Sequence, residues 1–436
     1  VQQPSCDTMW LTARRRPEEV GMALKLVVVG TGLWGRRLIP LFRLHPLVDE
    51  IALSDIDAVK LQEASREFGI PRTFPSLEAA LDSDFNAIAL VTQHWLHAPQ
   101  AMQALRAGKH VYSSAPAGIT VDEIESLVRT VEETGLTYVM GETSYYYSWV
   151  YYCRQRYEAG DFGDVVFSDS DYFHDFDHGL RDVFQTRGGE RWKEIAVIPP
   201  MYYITHCTSQ ITAVTGARFT HVSCQGFVDK DPDGAFDPNV NEWRNPYSDQ
   251  AALFRMSDGS SCRVNVYWRV GHPSMVQMSM YGTQGSFEYN CGGATWVDRA
   301  SSESLTHRMR PGLLAPRFVG SALRKPDWLK RPRWLPSSVR PSRGVATEHG
   351  RILDVTDLQP VADLPGEYAG LKDMGGEWGT NYFMVNEFVR ACAQGVPPPN
   401  NVWAAARYTV PGIVAHESAM RGGELLEVPD FGDPPF

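Results

Sequence analysis

The chain has 436 residues, 43% of them apolar, with a formal net charge of −11 and a pI near 5.6. That length exceeds the roughly 250–300 residues at which one core usually divides, so two domains are expected, and the acidic balance argues against nucleic acid or anionic lipid as partners. Seven cysteines without C-x-x-C spacing argue against a disulfide framework and a zinc site and fit a reducing cytoplasm, and no apolar run is long enough to span a membrane.

Residues 1–21 contain Arg14-Arg15-Arg16, but Pro17-Glu18-Glu19 follows where a secretion signal needs an apolar stretch. They read as a disordered extension ahead of Met22. Leu24 to Val29 is a short β-branched run ending in glycine, the pattern of a buried parallel strand, and a helix follows at once. The alternation continues with strands at Glu50–Ser54, Ala87–Val91, His110–Tyr112 and Thr137–Met140, and helices at about Ala58–Phe68, Pro99–Ala107 and Val121–Thr134. Strands alternating with helices predict an α/β fold, a doubly wound parallel sheet over residues 22–143.

Residues 144–436 are predicted to form a second, α+β domain. Between Val165 and Tyr289 the chain turns aromatic and β-branched, with period-two stretches at Ser261–Tyr267 and Ser274–Met280 and turn signals at Asp258-Gly259 and Gly282–Gly285, which predicts a largely antiparallel open sheet. Residues 299–344 hold eleven Lys or Arg, six prolines and two acids, Glu303 and Asp327. This basic, Pro-rich insertion reads as a solvated loop or as an arm reaching a neighbouring subunit or an anionic substrate. Helical spacing returns at Asn381–Ala393 and Val402–Met420, helices expected to pack back on the sheet.

Gly30-Thr31-Gly32-Leu33-Trp34-Gly35 follows a strand and opens a helix, the context in which G-x-G-x-x-G binds a dinucleotide. Gly30 permits the turn, Gly32 lets backbone approach the pyrophosphate, Gly35 lets helix pack on strand, and the helix N-terminus faces the phosphates. Asp55, 25 residues beyond Gly30, is placed to accept from the adenosine ribose, so NAD is favoured over NADP, although Arg36 and Arg37 could serve a phosphate. Further cofactor contacts are expected at Leu33, Trp34, Thr92, His94, His97, Ser114 and Pro116.

On Gly30–Gly35, Ala107-Gly108-Lys109-His110-Val111-Tyr112, Gly160-Asp161-Phe162-Gly163 and Tyr281-Gly282-Thr283-Gln284-Gly285, the chain resembles the Gfo/Idh/MocA family of sugar-processing oxidoreductases. That resemblance implies the two-domain fold, NAD, a small-molecule sugar or glycoside as partner, and a homo-oligomer formed through the C-terminal sheet. In the family's dehydrogenases the turn after Lys-His-Val-Tyr reads Glu-Lys-Pro, with a lysine beside the reacting carbinol; here it reads Ser114-Ala115-Pro116. The set Tyr203-Ile204-Thr205-His206, Tyr172-Phe173-His174-Asp175 and Glu142 resembles instead the family's NAD-dependent glycosidases, in which that lysine is likewise absent.

The resemblance implies oxidation at C3 of a sugar, elimination across C1–C2, water addition and re-reduction. Such a cycle needs a base for the C3 hydroxyl, a base for the C2 hydrogen and support for an enolate. His206 is the candidate for the hydroxyl, since imidazole exchanges protons near neutrality. Tyr203, three positions earlier, would share that oxygen if the segment is helical. Tyr172 is the candidate for the C2 proton, Glu142 for orientation or elimination, and His174 and Asp175 for substrate hydroxyls. The neighbouring Tyr145, Tyr146, Tyr147, Tyr151 and Tyr152 read more readily as packing.

His174, Asp175, Asp177 and His178 could hold a metal on a helix, but the run into Gly179 favours a loop and no metal is expected. Arg187, Arg191 and Lys193, with Gly188 and Gly189, suit an anionic sugar, of which a sulfoquinovoside is the most specific version. Alternatively these cations pair with Asp182, Glu190 and Glu194 on a surface helix. The runner-up activity is a sugar dehydrogenase or reductase lacking the usual lysine.

Overall fold

The computed structural model describes residues 23–299 and 379–435, and between them 346–347, 350–353 and 365. The extension expected at 1–21 and all but the first residue of the insertion expected at 299–344 lie outside the described residues. In chain order the described elements begin β1 (Leu24–Val29), α1 (Leu33–Leu44), β2 (Val48–Ser54), α2 (Ala58–Phe68), β3 (Thr73–Phe74), α3 (Leu77–Leu81), β4 (Ala87–Leu90), α4 (His97–Arg106), β5 (His110–Ser114), α5 (Val121–Thr134) and β6 (Tyr138–Gly141). There follow α6 (Ser148–Glu158), β7 (Val165–Phe173), α7 (Leu180–Gly188), α8 (Trp192–Ile195), α9 (Thr205–Thr215), β8 (Phe219–Val228), β9 (Tyr247–Met256), β10 (Ser261–Tyr267), β11 (Met275–Gly282), β12 (Gly285–Asn290) and β13 (Gly293–Asp298). The chain ends with β14 (Ala346–Thr347), β15 (Gly350–Leu353), α10 (Thr380–Gln394), α11 (Val402–Met420) and β16 (Leu426–Glu427).

The first sheet has the order β3-β2-β1-β4-β5-β6 with every pair parallel, the doubly wound arrangement. Its middle strands are buried on both faces, which is why they read as unbroken apolar runs. Helix ends follow local chemistry. Asp57 caps α2 by accepting from Val59 N and Lys60 N, and Thr120 with Glu123 forms a capping box on α5.

Two compact units emerge, and the division differs from a single cut at residue 143. The first unit joins β1–β6 and α1–α5 with α10 and the start of α11 as far as Ala406. Its aromatic core shows why. Phe388 of α10 packs edge-on against Phe42 of α1 (6.3 Å) and Tyr112 of β5 (5.8 Å), and His45 Nε2 meets Asn386 Oδ1 at 3.1 Å.

The second unit starts at Thr143 and takes α11 from Arg407. Its sheet runs β14-β15-β13-β12-β11-β7-β10-β9-β8-β16, antiparallel throughout except for the β7·β10 pair. β7 is therefore an interior strand. The helices α6 and α9 pack together and α9 lies on β7, with Gln210 as the polar tie. Gln210 Oε1 accepts from Trp149 Nε1 (2.7 Å), while Nε2 donates to Ser170 Oγ (3.3 Å) and to the His206 carbonyl (2.8 Å).

Candidate active site

In the first unit, Gly30 has φ +100° and donates its N–H to the Ser54 carbonyl at 2.8 Å; a Cβ there would lie 2.2 Å from the Val91 carbonyl oxygen. A Cβ on Gly35 would lie 2.1 Å from the Gly30 oxygen, so α1 can start against β1 only without a side chain. Gly32 is different: a Cβ there would meet nothing within 4 Å, which leaves backbone facing open space at the N-terminus of α1. Asp55 Oδ2 accepts from Thr31 N (2.7 Å) and Thr31 Oγ1 (2.8 Å), and Oδ1 accepts from Asp57 N (2.9 Å). The acid thus pins the glycine loop and keeps acceptor capacity on Oδ1 for a ribose hydroxyl.

Arg36 is drawn to Glu63 and Glu67, and Arg37 lies over the Trp34 ring at 5.6 Å. Neither arrangement provides an arginine fork beside Asp55, and Leu33 is exposed at the helix start. Just past the end of the central strand β4, Thr92 Oγ1 donates to Gln100 Oε1 at 2.6 Å. His97 is buried with Nδ1 2.7 Å from the Pro116 carbonyl and Nε2 3.2 Å from the Thr92 carbonyl, and it stacks edge-on with buried His94. His97 therefore links the segment after β4 to Pro116 after β5. Ser114 Oγ is buried without a hydrogen-bond partner among the described residues, beside the cis Ala115–Pro116 bond. Open space at Gly32, an acid at Asp55 and an orphaned hydroxyl at Ser114 together fit NAD.

Glu142 is buried just past β6; its N–H reaches the Met140 carbonyl (2.8 Å) and its carbonyl accepts from Asn400 (3.4 Å). Burial first, then the neighbouring Glu142, pushes the Tyr112 phenol well above its usual range.

In the second unit, the end of β7, the turn leading into α9 with the first turn of α9, and α7 bring four aromatic side chains and one arginine together. Tyr172 and Tyr203 stack with rings 6° from parallel at 5.8 Å; His206 lies 5.3 Å from Tyr172 and 5.4 Å from Tyr203. The Tyr172 hydroxyl is 3.0 Å from His174 Nδ1, and Arg187 Nη2 donates to the Tyr203 hydroxyl at 3.2 Å. Arg187 Nη1 is buried with no hydrogen-bond partner among the described residues. A buried guanidinium nitrogen left without a partner is a donor still to be satisfied.

Burial first, then the positive Arg187 and His206, push the His174 imidazole down to about 4, against the opposing pull of Asp175. His174 is neutral at pH 7 and its Nδ1 can accept from the phenol. Tyr203 and His206 are not on one helical face: Tyr203 ends a 3-10 turn at Pro200–Tyr203, and His206 stands in the first turn of α9. Pro200 opens the 3-10 turn at the first helical position, where proline is favoured, and the turn passes to α9 at Ile204. Gly412 of α11 packs directly on it, since a Cβ there would lie 2.0 Å from the Met201 carbonyl.

The remaining residues expected here are not brought to the cluster. Asp175 accepts from Asp177 N (2.9 Å) and His178 Nδ1 (2.9 Å), closing its own turn. Arg191 is exposed and paired with Glu194 (2.7 Å) and Glu242 (2.9 Å), and Lys193 donates to the Asp233 carbonyl (2.6 Å). The surface-pairing alternative describes Arg191, while Arg187 alone of the three reaches the aromatic cluster. No group of three His, Cys, Asp or Glu among the described residues is placed to hold a metal. Gln210 was not anticipated; its position one helical turn after His206 was the available signal.

The fold and the glycine loop define an NAD-binding oxidoreductase domain carrying a second, mostly antiparallel sheet. Residues 24–142 match the family model described as the oxidoreductase family, NAD-binding Rossmann fold (GFO_IDH_MocA). The chain is 32% identical over 169 residues to a glycosyl hydrolase family 109 protein of Saccharopolyspora erythraea, an alignment spanning 36% of each chain. A protein of the same description from Solibacter usitatus is 23% identical over 424 residues, covering 94% of this chain and 88% of that one. The structure of levoglucosan dehydrogenase with NADH and L-sorbose superposes with a TM-score of 0.67 at 16% identity, covering 94% of this chain and 99% of that one. No described helix is long and apolar enough to cross a membrane.

Proposed function

We propose that the protein is an NAD-dependent glycoside hydrolase acting by transient oxidation at C3 of a sugar, elimination of the C1 substituent, water addition and re-reduction. The observation that carries this reading is the Tyr172–His174 hydrogen bond inside the Tyr203–His206–Arg187 cluster, in a chain whose turn bears Ala115 and no ammonium. The glycosyl hydrolase family 109 description of its relatives supports it.

NAD, when bound through Gly32, Asp55 and Ser114, supplies a reversible hydride acceptor. His206 takes the C3 hydroxyl proton and returns it, with the Tyr203 hydroxyl sharing that oxygen. Tyr172 removes the C2 proton while the neutral His174 accepts the phenol's own hydrogen. Arg187 holds the developing enolate or a substituent oxygen with its Nη1 donor. Glu142 serves the departing group. The C2–H and C1–O bonds break, C1=C2 forms, and addition of water across it restores C2–H and yields the free sugar.

An anionic or acceptor-rich glycosyl unit suits Arg187, with a sulfoquinovoside and an N-acetylhexosaminide as the two forms to compare. Pairing of copies through the second sheet and a cytoplasmic setting belong to the same reading. The test is an aryl glycoside with substoichiometric NAD⁺: many phenols released per cofactor without net NADH supports a hydrolase. One NADH per product would make the protein a sugar dehydrogenase instead.

A further inference from the structure

The end of the second sheet carries a cluster that the proposed chemistry does not use. His272 lies between β10 and β11, Met275 opens β11, and Cys291 follows β12. Cys291 Sγ is 3.2 Å from His272 Nε2 and 3.5 Å from Met275 Sδ. The other imidazole nitrogen, Nδ1, is 2.8 Å from the Pro273 carbonyl oxygen. A carbonyl only accepts, so Nδ1 carries the proton and Nε2 presents its lone pair to the sulfur. An imidazole anchored by its second nitrogen on a backbone carbonyl is how metal-binding histidines are oriented.

The sheet holds the three residues in place. The His272 ring stacks on Phe173 at 4.0 Å, and Met275 sits directly across from Phe173 in the β7·β11 ladder. Side chains alternate along a strand, so Phe173 and this cluster occupy the face opposite to Tyr172 and His174. Cys291 is exposed and reachable from solvent, whereas Cys153, Cys207, Cys224 and Cys262 are buried.

The donor set is one thiol, one thioether and one imidazole. Hard cations need oxygen ligands, and zinc sites are built from four thiolate, imidazole or carboxylate donors; thiolate with thioether selects Cu(I). Both separations are shorter than the sum of two metal–ligand bonds of about 2.0–2.3 Å, so one ion can bridge each pair. We propose that Cys291, His272 and Met275 form a binding site for a single Cu(I) ion. On binding, the S–H bond is replaced by an S–Cu bond, one proton leaves to solvent, and copper stays Cu(I).

The test uses the full chain carrying Cys6→Ser, to remove a thiol outside the described residues, titrated anaerobically with Cu(I) against bicinchoninate. One Cu(I) per chain is expected, lost in Cys291→Ser and weakened about tenfold or more in both Met275→Leu and His272→Asn. Circular dichroism of each variant establishes that it is folded. Unchanged uptake by Cys291→Ser overturns the proposal. So does loss in Cys291→Ser with Met275→Leu and His272→Asn unaffected, which would mark an ordinary surface thiol.

Discussion

The phenol hydroxyl of Tyr172 and Nδ1 of His174 meet at 3.0 Å across two positions of one chain segment. Because burial and Arg187 keep the imidazole uncharged at neutral pH, this pair can pass a proton without creating two like charges. Tyr172→Phe is expected to slow phenol release by about 10²–10⁴, the usual worth of a positioned proton carrier, and to leave the first NADH burst intact. His174→Gln should fall between that variant and wild type. Deuterium uptake at C2 of the product in D2O measures the step directly, and equal loss of burst and deuterium uptake in Tyr172→Phe would return Tyr172 to a packing role.

Acid should weaken the fold through two imidazoles. His174 and His416 are both pushed down to about 4 from 6.5, first by burial; His416 also accepts from Gln250 Nε2 at 3.2 Å. Between those values the unfolded chain binds protons that the folded chain refuses, so stability falls as the pH drops from 6.5 to 4 and is undiminished by these groups above 6.5. Each contributes up to roughly 3 kcal/mol at the low end. Urea midpoints measured from pH 7 to pH 4 should show a shallower slope in His416→Asn than in wild type; parallel slopes would contradict the buried neutral state.

Much of the first unit was legible because its physics is local. Buried parallel strands are continuous apolar runs, and α2 and α5 begin where Asp57 and Thr120 cap them. The allegiance of α10 was not, since nothing near Phe388 in sequence announces Phe42 or Tyr112 as its partners. The candidate site divides the same way. A resemblance to the family's NAD-dependent glycosidases drew attention to Tyr172, Tyr203 and His206, but Arg187 and Arg191 look alike in sequence. They separate only in space, where Glu242 reaches Arg191 from 51 positions away and Tyr203 reaches Arg187.

Two glycines of one loop should respond oppositely to alanine. Gly32 has φ −68° and open space at its Cβ position, so Gly32→Ala should unfold within about 0.5 kcal/mol of wild type. The added methyl would stand where pyrophosphate must approach, and NAD affinity should drop by about 1–3 kcal/mol, roughly 5–150-fold. Gly30→Ala, with φ +100° and a Cβ 2.2 Å from the Val91 oxygen, should lose stability itself, by about 1–3 kcal/mol or more. Calorimetric NAD titration beside thermal melts separates the two effects, and normal NAD binding by folded Gly32→Ala would move the pyrophosphate elsewhere.

A buried arginine takes a cation's place in the same unit as the aromatic cluster. Arg269, with its side chain 10% exposed, meets Asp229 at 3.3 Å, Asp231 at 3.1 Å and Asp233 at 2.7 Å, and covers the Phe176 ring at 4.4 Å. Asp229-x-Asp231-x-Asp233-Gly234 has the opening spacing of a calcium loop, yet Val240 stands at the twelfth position where the bidentate acid belongs. The guanidinium, with Arg181 on Asp233 at 2.9 Å, therefore supplies the charge that the three carboxylates require. Arg269→Met should cost about 3 kcal/mol, because it removes the cation beside the buried Asp229 side chain, while Asp233 keeps its pair with Arg181 at 2.9 Å and Asp231 is exposed. Urea midpoints of Arg269→Met and wild type, measured side by side at pH 7, check this. Because the Phe176 N–H bonds the Trp268 carbonyl at 2.6 Å, the same variant should also loosen the turn after His174 and lower activity. A variant with wild-type stability would show that solvent, rather than Arg269, neutralises these acids.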